Sequence, residues 1–340
     1  MLIAANSLPV DPSPQRVPGN AISKSIDSDC QISGDQSLTR MFPKHWLVNP
    51  FQPIGLKELN AKAEMLERLD NKYVVQKPVL RQAIIELARH FDVLEIGGKR
   101  SFTYETCYFD DAQNTSYFDH HRGRRQRFKV RVRKYTDAQL CFVEVKLKGA
   151  RGITIKKRLN YAVDKYGMLD ATAWAHIHSS YSDLYGREFN HDLQPVVEMR
   201  YQRITLVAKN GGERMTIDFS LLFSKADKSC SIDENTFIVE TKSANGNGIA
   251  DKILRTLHQH PTKRCSKYCV AMAALQEVER HNKFLPALRK MNVVPNSPDS
   301  DRRVIAYPPM TDTQHMAGSD QPAFVALMAQ FAEARIDETV

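Results

Sequence analysis

The sequence predicts an α+β fold: an antiparallel β-barrel of about eight strands with a polar, basic interior, surrounded by helices. Three observations predict it. Strand-like alternations recur between about residues 55 and 285, mostly in hairpin succession and not as alternating βαβ units. One of them, Arg127-Phe-Lys129-Val-Arg131-Val-Arg133, alternates base and apolar residue. Successive side chains of a strand point to opposite faces, so Arg127, Lys129, Arg131 and Arg133 share one surface, and Phe128, Val130 and Val132 share the other. Sorting most of the other strands by parity gives the same two surfaces, one charged and one apolar.

Residues 1–55 are rich in Ser, Pro, Asp, Asn and Gly and read as a disordered leader. The folded domain is expected over 56–290. Its first strand, Leu66–Val75, puts Arg68, Asp70 and Lys72 on one face. Lys77-Pro78 then opens a helix over Val79–Phe91, with proline in the first turn. Ser101–Phe109 is a strand rich in Phe102, Tyr104, Cys107 and Tyr108, and Arg125–Tyr135 holds the basic run. Leu140–Lys148 sets Glu144, Lys146 and Lys148 against Cys141, Val143, Val145 and Leu147. Gly152–Asn160 sets Lys156 and Arg158 against Ile153 and Ile155. A helix is expected within Asp164–Ser179. Pro195–Ala208 sets Glu198 and Arg200 against Val197 and Met199, and Arg214–Phe219 sets Arg214 and Asp218 against Met215, Ile217 and Phe219. Thr236–Lys242 sets Glu240 and Lys242 against Phe237 and Val239. Helices follow at Gly248–Gln259 and Val270–Lys290. Residues 291–340 read as an irregular tail with a short helix at Ala323–Ile336.

A half-exposed sheet with a solvated polar face would carry Ser, Thr, Gln and Asn and both signs of charge in similar number. Here Arg and Lys dominate, with one carboxylate in most strands. An inverted core explains this better: charges line a tunnel, and the apolar faces point outward beneath the helices. Low-dielectric walls would strengthen the field of each cation, and Arg presents a fork that matches phosphate oxygens. The natural guest is a linear polyphosphate or a nucleoside triphosphate, with the few carboxylates available for a divalent metal.

The 340-residue chain carries a formal charge of +9 and 42% hydrophobic residues, which supports a sizeable core and an anionic partner. Its six cysteines form no Cys-x-x-Cys pair, which disfavours a zinc site and suits reduced thiols. The N-terminus lacks a basic, apolar leader, and no run approaches the roughly 20 apolar residues of a membrane span. A cytoplasmic location is expected, with a membrane-protein partner left open. Nucleic acid is not expected, because no aromatic stacking platform is visible among the cationic faces.

The motifs Arg68-Leu-Asp70-Asn-Lys72-Tyr73, Tyr108-Phe-Asp110, Lys129-Val-Arg131-Val-Arg133-Lys-Tyr135, Val143-Glu144-Val-Lys146, Arg200-Tyr201-Gln-Arg203, Arg214-Met-Thr-Ile-Asp218, Val239-Glu240-Thr-Lys242 and Ser266-Lys267-Tyr268 occur in one order. In that order the chain resembles the VTC domain of the vacuolar transporter chaperone complex, a branch of the triphosphate tunnel metalloenzymes. The resemblance covers about residues 60–275. It implies a polyphosphate polymerase that moves the terminal phosphoryl group of ATP onto a phosphate chain with Mn2+ or Mg2+. It assigns Arg131, Arg133, Lys146, Arg200 and Arg214 to catalysis, and Lys72 and Lys267 to phosphate binding. Arg68, Arg203, Lys242 and either Lys156 or Arg158 complete the binding set, and Glu240 is the metal ligand. Relatives that hydrolyse triphosphates or cyclise ATP begin with Glu-x-Glu-x-Lys, whereas this chain has Arg68-x-Asp70-x-Lys72. Two rival readings are a triphosphatase and a polyphosphate-binding module without turnover.

Lesser roles are expected for several residues. Glu144 and Glu198 orient bases, and Asp218 pairs with Arg214 or another base. Tyr73, Tyr135, Tyr201 and Tyr268 pack toward the helices, and His120 and His121 sit in a solvated loop.

Overall fold

The apolar sides of the strands decide where the helices lie. The computed structural model describes residues 45–62, 69–149 and 153–295. Within them the chain runs α1 (His45–Val48), β1 (Gln52–Ile54), α2 (Leu56–Lys62), β2 (Leu69–Gln76), α3 (Lys77–His90), β3 (Phe91–Leu94), β4 (Phe102–Asp110), α4 (Thr115–Arg122), β5 (Phe128–Tyr135), β6 (Leu140–Lys148) and β7 (Thr154–Tyr161). It continues through α5 (Ala171–Tyr185), β8 (Gln194–Ala208), β9 (Arg214–Lys225), β10 (Lys228–Ile232), β11 (Thr236–Ser243), α6 (Ile249–Thr256), α7 (Lys267–Ala274), α8 (Leu285–Met291) and β12 (Val293–Pro295).

The fold is α+β, built on a large antiparallel sheet. Its main path is β7-β6-β5-β4-β8-β9-β11-β2, and these are the eight strands that the alternations mark. Four short strands were not anticipated. β10 pairs the far half of β9 and β12 pairs β10, β3 pairs the end of β8, and β1 lies parallel to β3. The sheet curls, so that Lys146 on β6 feels the charges of Lys72 on β2 and of Glu240 and Lys242 on β11. Closure by hydrogen bonds, which the barrel expectation included, does not occur: among the described residues β2 and β7 do not pair. Instead the segment before α7 reaches the backbone of β2, with Thr262 N donating to Lys72 O at 2.6 Å.

The jacket is as expected. Phe128, Val130, Val132, Val143, Val145 and Leu147 pack under Ala173, Ile177 and Tyr181 of α5. Tyr73, Val75, Met215, Ile217, Phe237 and Val239 pack under Leu80, Ile84 and Leu87 of α3 and Ile253 and Leu254 of α6. Pro78 in the first turn starts α3, and the Asp170 side chain caps α5 by accepting from Ala173 N at 2.9 Å.

The concave side departs from a purely polar interior. A third apolar cluster joins Tyr104, Tyr108, Tyr135, Phe142, Met199, Tyr201 and Phe223 to Val270, Ala271 and Met272 of α7 and to Ala287 and Met291 of α8. α7 therefore sits inside the curl and fills part of it.

Several boundaries are corrected. Residues 45–54, assigned to the leader, form α1 and β1, because Leu47 and Phe51 have a core to enter. The helix within Asp164–Ser179 starts later, at its Asp170 cap, behind Gly167 with φ 84°. Val270–Lys290 is two helices. Gln276, with φ 57°, takes up the left-handed region after α7, and Pro286 opens α8. The expected leader before residue 45, residues 63–68, and the helix at Ala323–Ile336 lie outside the described residues.

One buried carboxylate pins α6 to the sheet. Asp251 accepts from Tyr73 Oη (2.6 Å), Thr241 Oγ1 (2.7 Å), Asn71 Nδ2 (2.9 Å) and Gly248 N (3.1 Å). Asp251→Ala strands these donors and is expected to lower the unfolding free energy by about 3 kcal/mol in urea titration, against about 1 kcal/mol for Tyr73→Phe.

Candidate functional site

Cross-strand register arranges the concave side in rows. Lys129, Lys146 and Lys156 stand opposite one another on β5, β6 and β7. The next row is Arg131, Glu144 and Arg158, and the next is Arg133, Phe142 and Asn160. On the other wall Lys72 faces Glu240, Asp70 faces Lys242, Lys242 faces Arg214, and Asp218 faces Arg203. Like charges directly opposite are destabilising, so the lysine row stores repulsion.

Three acids organise the bases. Glu144 is buried at the centre, accepting from Arg131 Nε (2.6 Å) and Arg158 Nε (2.8 Å) and pairing with Lys156 Nζ (2.5 Å). Burial opposes its ionisation, but Arg131, Lys156 and Arg158 outweigh this and hold it well below the usual carboxylate range. Asp218 accepts a two-pronged bond from Arg203 (2.6 and 2.7 Å) and a third from Lys267 Nζ (2.5 Å). Its pKa is likewise lowered: burial opposes ionisation, but Arg203 and Lys267 overcome it. Glu240 takes Lys242 (2.7 Å) and Lys72 (3.4 Å), and Lys242 also reaches Asp70 (3.1 Å). The Glu240 carboxylate in turn raises Lys72.

On the concave side Lys129, Arg133 and Lys146 have no carboxylate partner among the described residues. Lys129 Nζ donates to Ser266 Oγ at 2.8 Å, and Arg133 Nε donates to Thr106 Oγ1 at 3.2 Å while its guanidinium lies over Tyr104. Lys146 Nζ has no hydrogen-bond partner among the described residues, and its side chain is exposed in the concavity. Enclosure by the walls, and then the neighbouring charge of Lys72, lower its pKa to about 7.

Most residues singled out from the sequence are brought together here: Arg131, Arg133, Lys146, Lys72, Lys156, Arg158, Arg203, Arg214, Lys242, Lys267 and Glu240 face the concavity. Lys156 and Arg158, between which the sequence did not decide, both bond to Glu144. Arg214 lies at the rim, with Nη2 3.5 Å from Asn60 Oδ1 of α2. Arg68 lies outside the described residues.

Arg200 is not brought in. It stands opposite Glu105 on the outer face, 44% exposed, with Nε 3.7 Å from the Glu105 carboxylate. Tyr201 is the inward residue, stacked on Tyr104 with centroids 5.3 Å apart, so Glu198 and Arg200 point out and Arg203 points in. Glu198 accordingly orients no base, whereas Glu144 does. Asp218 pairs with Arg203 and Lys267, and Arg214 is not its partner.

The tyrosines also divide. Tyr73 lies under the jacket, but Tyr135, Tyr201 and Tyr268 belong to the inner cluster. With Tyr104 and Tyr108 they interleave with the bases, and Arg131, Arg203 and Lys267 lie over their rings. An aromatic layer is thus present among the cations, contrary to expectation. Parity on β4, where Tyr104, Thr106 and Tyr108 alternate with Cys107 and Phe109, is the signal that could have found it. Tyr108 Oη accepts from Arg131 Nη1 at 2.8 Å. Burial raises its pKa, but Arg131, Arg133 and Lys129 more than reverse this. His120 and His121 sit in α4 and not in a solvated loop. His121 bonds to Asn282, and burial, helped by Lys129 and Arg127, drives His120 down to about 2.

No group of three or more His, Cys, Asp or Glu gathers for a metal among the described residues. Glu240 and Asp70 converge on one ammonium, that of Lys242. This donor set fits a hard divalent ion that takes its remaining ligands from phosphate oxygens, and does not fit an all-protein cage.

The family model for the VTC domain matches residues 67–276, and the chain belongs to that family. No curated protein matches it. Similar solved structures include HpAC1 from Hippeastrum, described as a candidate adenylyl cyclase with a dominant triphosphatase activity, at 11% identity and TM-score 0.39, covering 61% of this chain and 95% of that one. Another is the PH1819 protein from Pyrococcus horikoshii OT3, at 11% identity and TM-score 0.35, covering 61% of this chain and 98% of that one. No described helix is long and apolar enough to cross a membrane.

Two outcomes follow from the charge arrangement. Above about pH 7 Lys146 loses its proton, and an anion bound beside it restores the charge. Tripolyphosphate binding at pH 8 should therefore take up a proton, read by calorimetry in two buffers of different ionisation enthalpy, and Lys146→Gln should remove that uptake. Glu144 has a depressed folded pKa, so it contributes stability above its unfolded value of about 4.3 that is lost as pH falls through the folded value. Glu144→Gln should cost about 3–5 kcal/mol at pH 7 and flatten the acid limb of the stability profile.

Proposed function

We propose that the protein is a polyphosphate polymerase. It transfers the terminal phosphoryl group of ATP to the end of a phosphate chain, releasing ADP and a chain one unit longer. The observation that carries this reading is the set of cations without carboxylate partners, Lys129, Arg133 and Lys146, beside the braced Arg131 and Arg158. A surface that gathers positive charge and leaves it unmatched favours a ligand with many negative oxygens.

The attacking group is an ionised terminal phosphate oxygen and needs no strong base, and His120, which burial and the nearby charges of Lys129 and Arg127 keep neutral, is not called on as one. Positioning and charge neutralisation supply the catalysis. Arg131 and Arg133 present forks toward equatorial oxygens, and Lys146 and Lys129 add point charges. Glu144 and Asp218 hold the guanidinium planes in place. Glu240 and Asp70 would hold Mn2+ or Mg2+, which would supply positive charge to offset that of the phosphate groups.

Incubation of the purified protein with ATP and Mn2+ tests this. Lengthening chains on a gel support it, free phosphate alone turns the assignment to a triphosphatase, and retention of chains without turnover turns it to a binding module. Arg133→Ala and Lys146→Ala are each expected to lower synthesis by about 100-fold or more with the thermal midpoint little changed. Full activity in both variants would remove the basic face from the reaction. Glu240→Gln should raise the metal concentration needed for half-maximal rate.

A further inference from the structure

Two of the sequence motifs, Tyr108-Phe-Asp110 and Ser266-Lys267-Tyr268, contain residues that phosphate binding does not use directly. Asp110 and Tyr268 are distant in sequence and meet in the fold. Tyr268 Oη donates to Asp110 Oδ2 at 2.5 Å. Asp110 is fully buried, and the same carboxylate accepts three backbone N–H groups, from Asp111 (3.0 Å), Ser116 (2.9 Å) and Tyr117 (3.0 Å). The last two belong to the first turn of α4, where the orphan amides of a helix favour a carboxylate. Asp110 is thus fixed before Tyr268 reaches it. The Tyr268 ring stacks on Tyr108, centroids 5.0 Å apart at 21°, and Tyr108 carries the hydrogen bond from Arg131.

The consequence falls on the start of α7. This helix has eight residues, too few to hold its own direction in water. Its first residues carry groups that face the bases: Ser266 Oγ accepts from Lys129, and Lys267 Nζ bonds to Asp218 and lies over the Tyr201 ring. Sequence neighbours of Tyr268 therefore complete the basic face from inside the curl, and Tyr268 ties the same turn to the last residue of β4, a bond that involves none of the bases.

We propose that Asp110 and Tyr268 act as positioning residues, a clamp that sets the N-terminus of α7 so that Ser266 and Lys267 lie in register with Lys129 and Arg203 around a bound phosphate chain. The proposal rests on the phosphate-binding reading of the concavity. Tyr268→Phe keeps the ring stack and removes one of four bonds to Asp110, so the fold persists while the helix start gains freedom.

Calorimetric titration of the full chain with tripolyphosphate tests the clamp, using wild type, Tyr268→Phe, Lys267→Ala and the double variant, with thermal midpoints beside them. The expected result is an affinity about tenfold weaker in Tyr268→Phe, with a smaller penalty for Lys267→Ala in that background than in wild type. A purely structural role would leave the Lys267 penalty unchanged. If Tyr268→Phe lowers the midpoint, the Lys267 penalty, measured where both backgrounds are folded, still decides. Wild-type affinity in Tyr268→Phe, or penalties that add fully, overturns the clamp alone. A wild type that does not bind tripolyphosphate overturns the phosphate reading and the clamp with it.

Discussion

Everything on the concave side depends on how a dense set of cations is kept from tearing the sheet apart. Glu144 is the principal answer. One buried carboxylate on β6 holds two guanidinium groups and an ammonium from the strands on either side, β5 and β7, so its removal would leave three charges facing one another. Asp218 and Glu240 repeat the device on the opposite wall. The acids that bind them are fewer than the bases, and the surplus, Lys129, Arg133 and Lys146, ranges from buried to exposed. Stability and ligand attraction are thus settled by the same residues: acids fix the geometry of some bases and leave others unmatched.

The sheet serves two cores at once. Its convex side is covered by α3, α5 and α6 through conventional apolar packing, which frees the other side to carry charge. That other side is not left to water, since α7 and α8 bring a third apolar cluster into the curl. Rigid tyrosine rings separate that cluster from the bases, presenting ring faces to the cations and hydrocarbon to the helices. Side chains near the charges are therefore packed on one side and solvated on the other, an arrangement suited to holding guanidinium planes in fixed orientations.

Much of this was legible in period 2. On β5 and β6 charged residues alternate with apolar ones over residues 128–133 and 143–148, and on β7 Lys156 and Arg158 share the parity opposite Ile155, so parity assigned Arg131, Arg133, Lys146, Lys156 and Arg158 to one surface. On β8 the rule misled. Glu198 and Arg200 are charged but face out, while their inward neighbours Val197, Met199 and Tyr201 meet α7. The inner face there is apolar because a helix covers it, and no property of the strand reveals that helix. The tyrosines were misplaced for the same reason: an aromatic residue suits a jacket or a cation-lined wall, and only the partner decides. Lys267 was found by motif, since a base delivered from a helix carries no strand parity. The two-helix break within 270–290 turns on a left-handed Gln276, which composition does not mark.

The lysine row has a fixed pitch. Lys129, Lys146 and Lys156 are cross-strand partners, so their Cα spacing is set by the hydrogen-bonding distance between strands, about 4.8 Å, and not by side-chain packing. The row is a comb whose teeth stand on the backbone. Changing a tooth alters its charge or length but not the pitch. The comb runs across the strands, so a string of evenly spaced charges lying along it would cross β5, β6 and β7 in turn. A compact anion of equal charge would meet one tooth strongly and the others weakly.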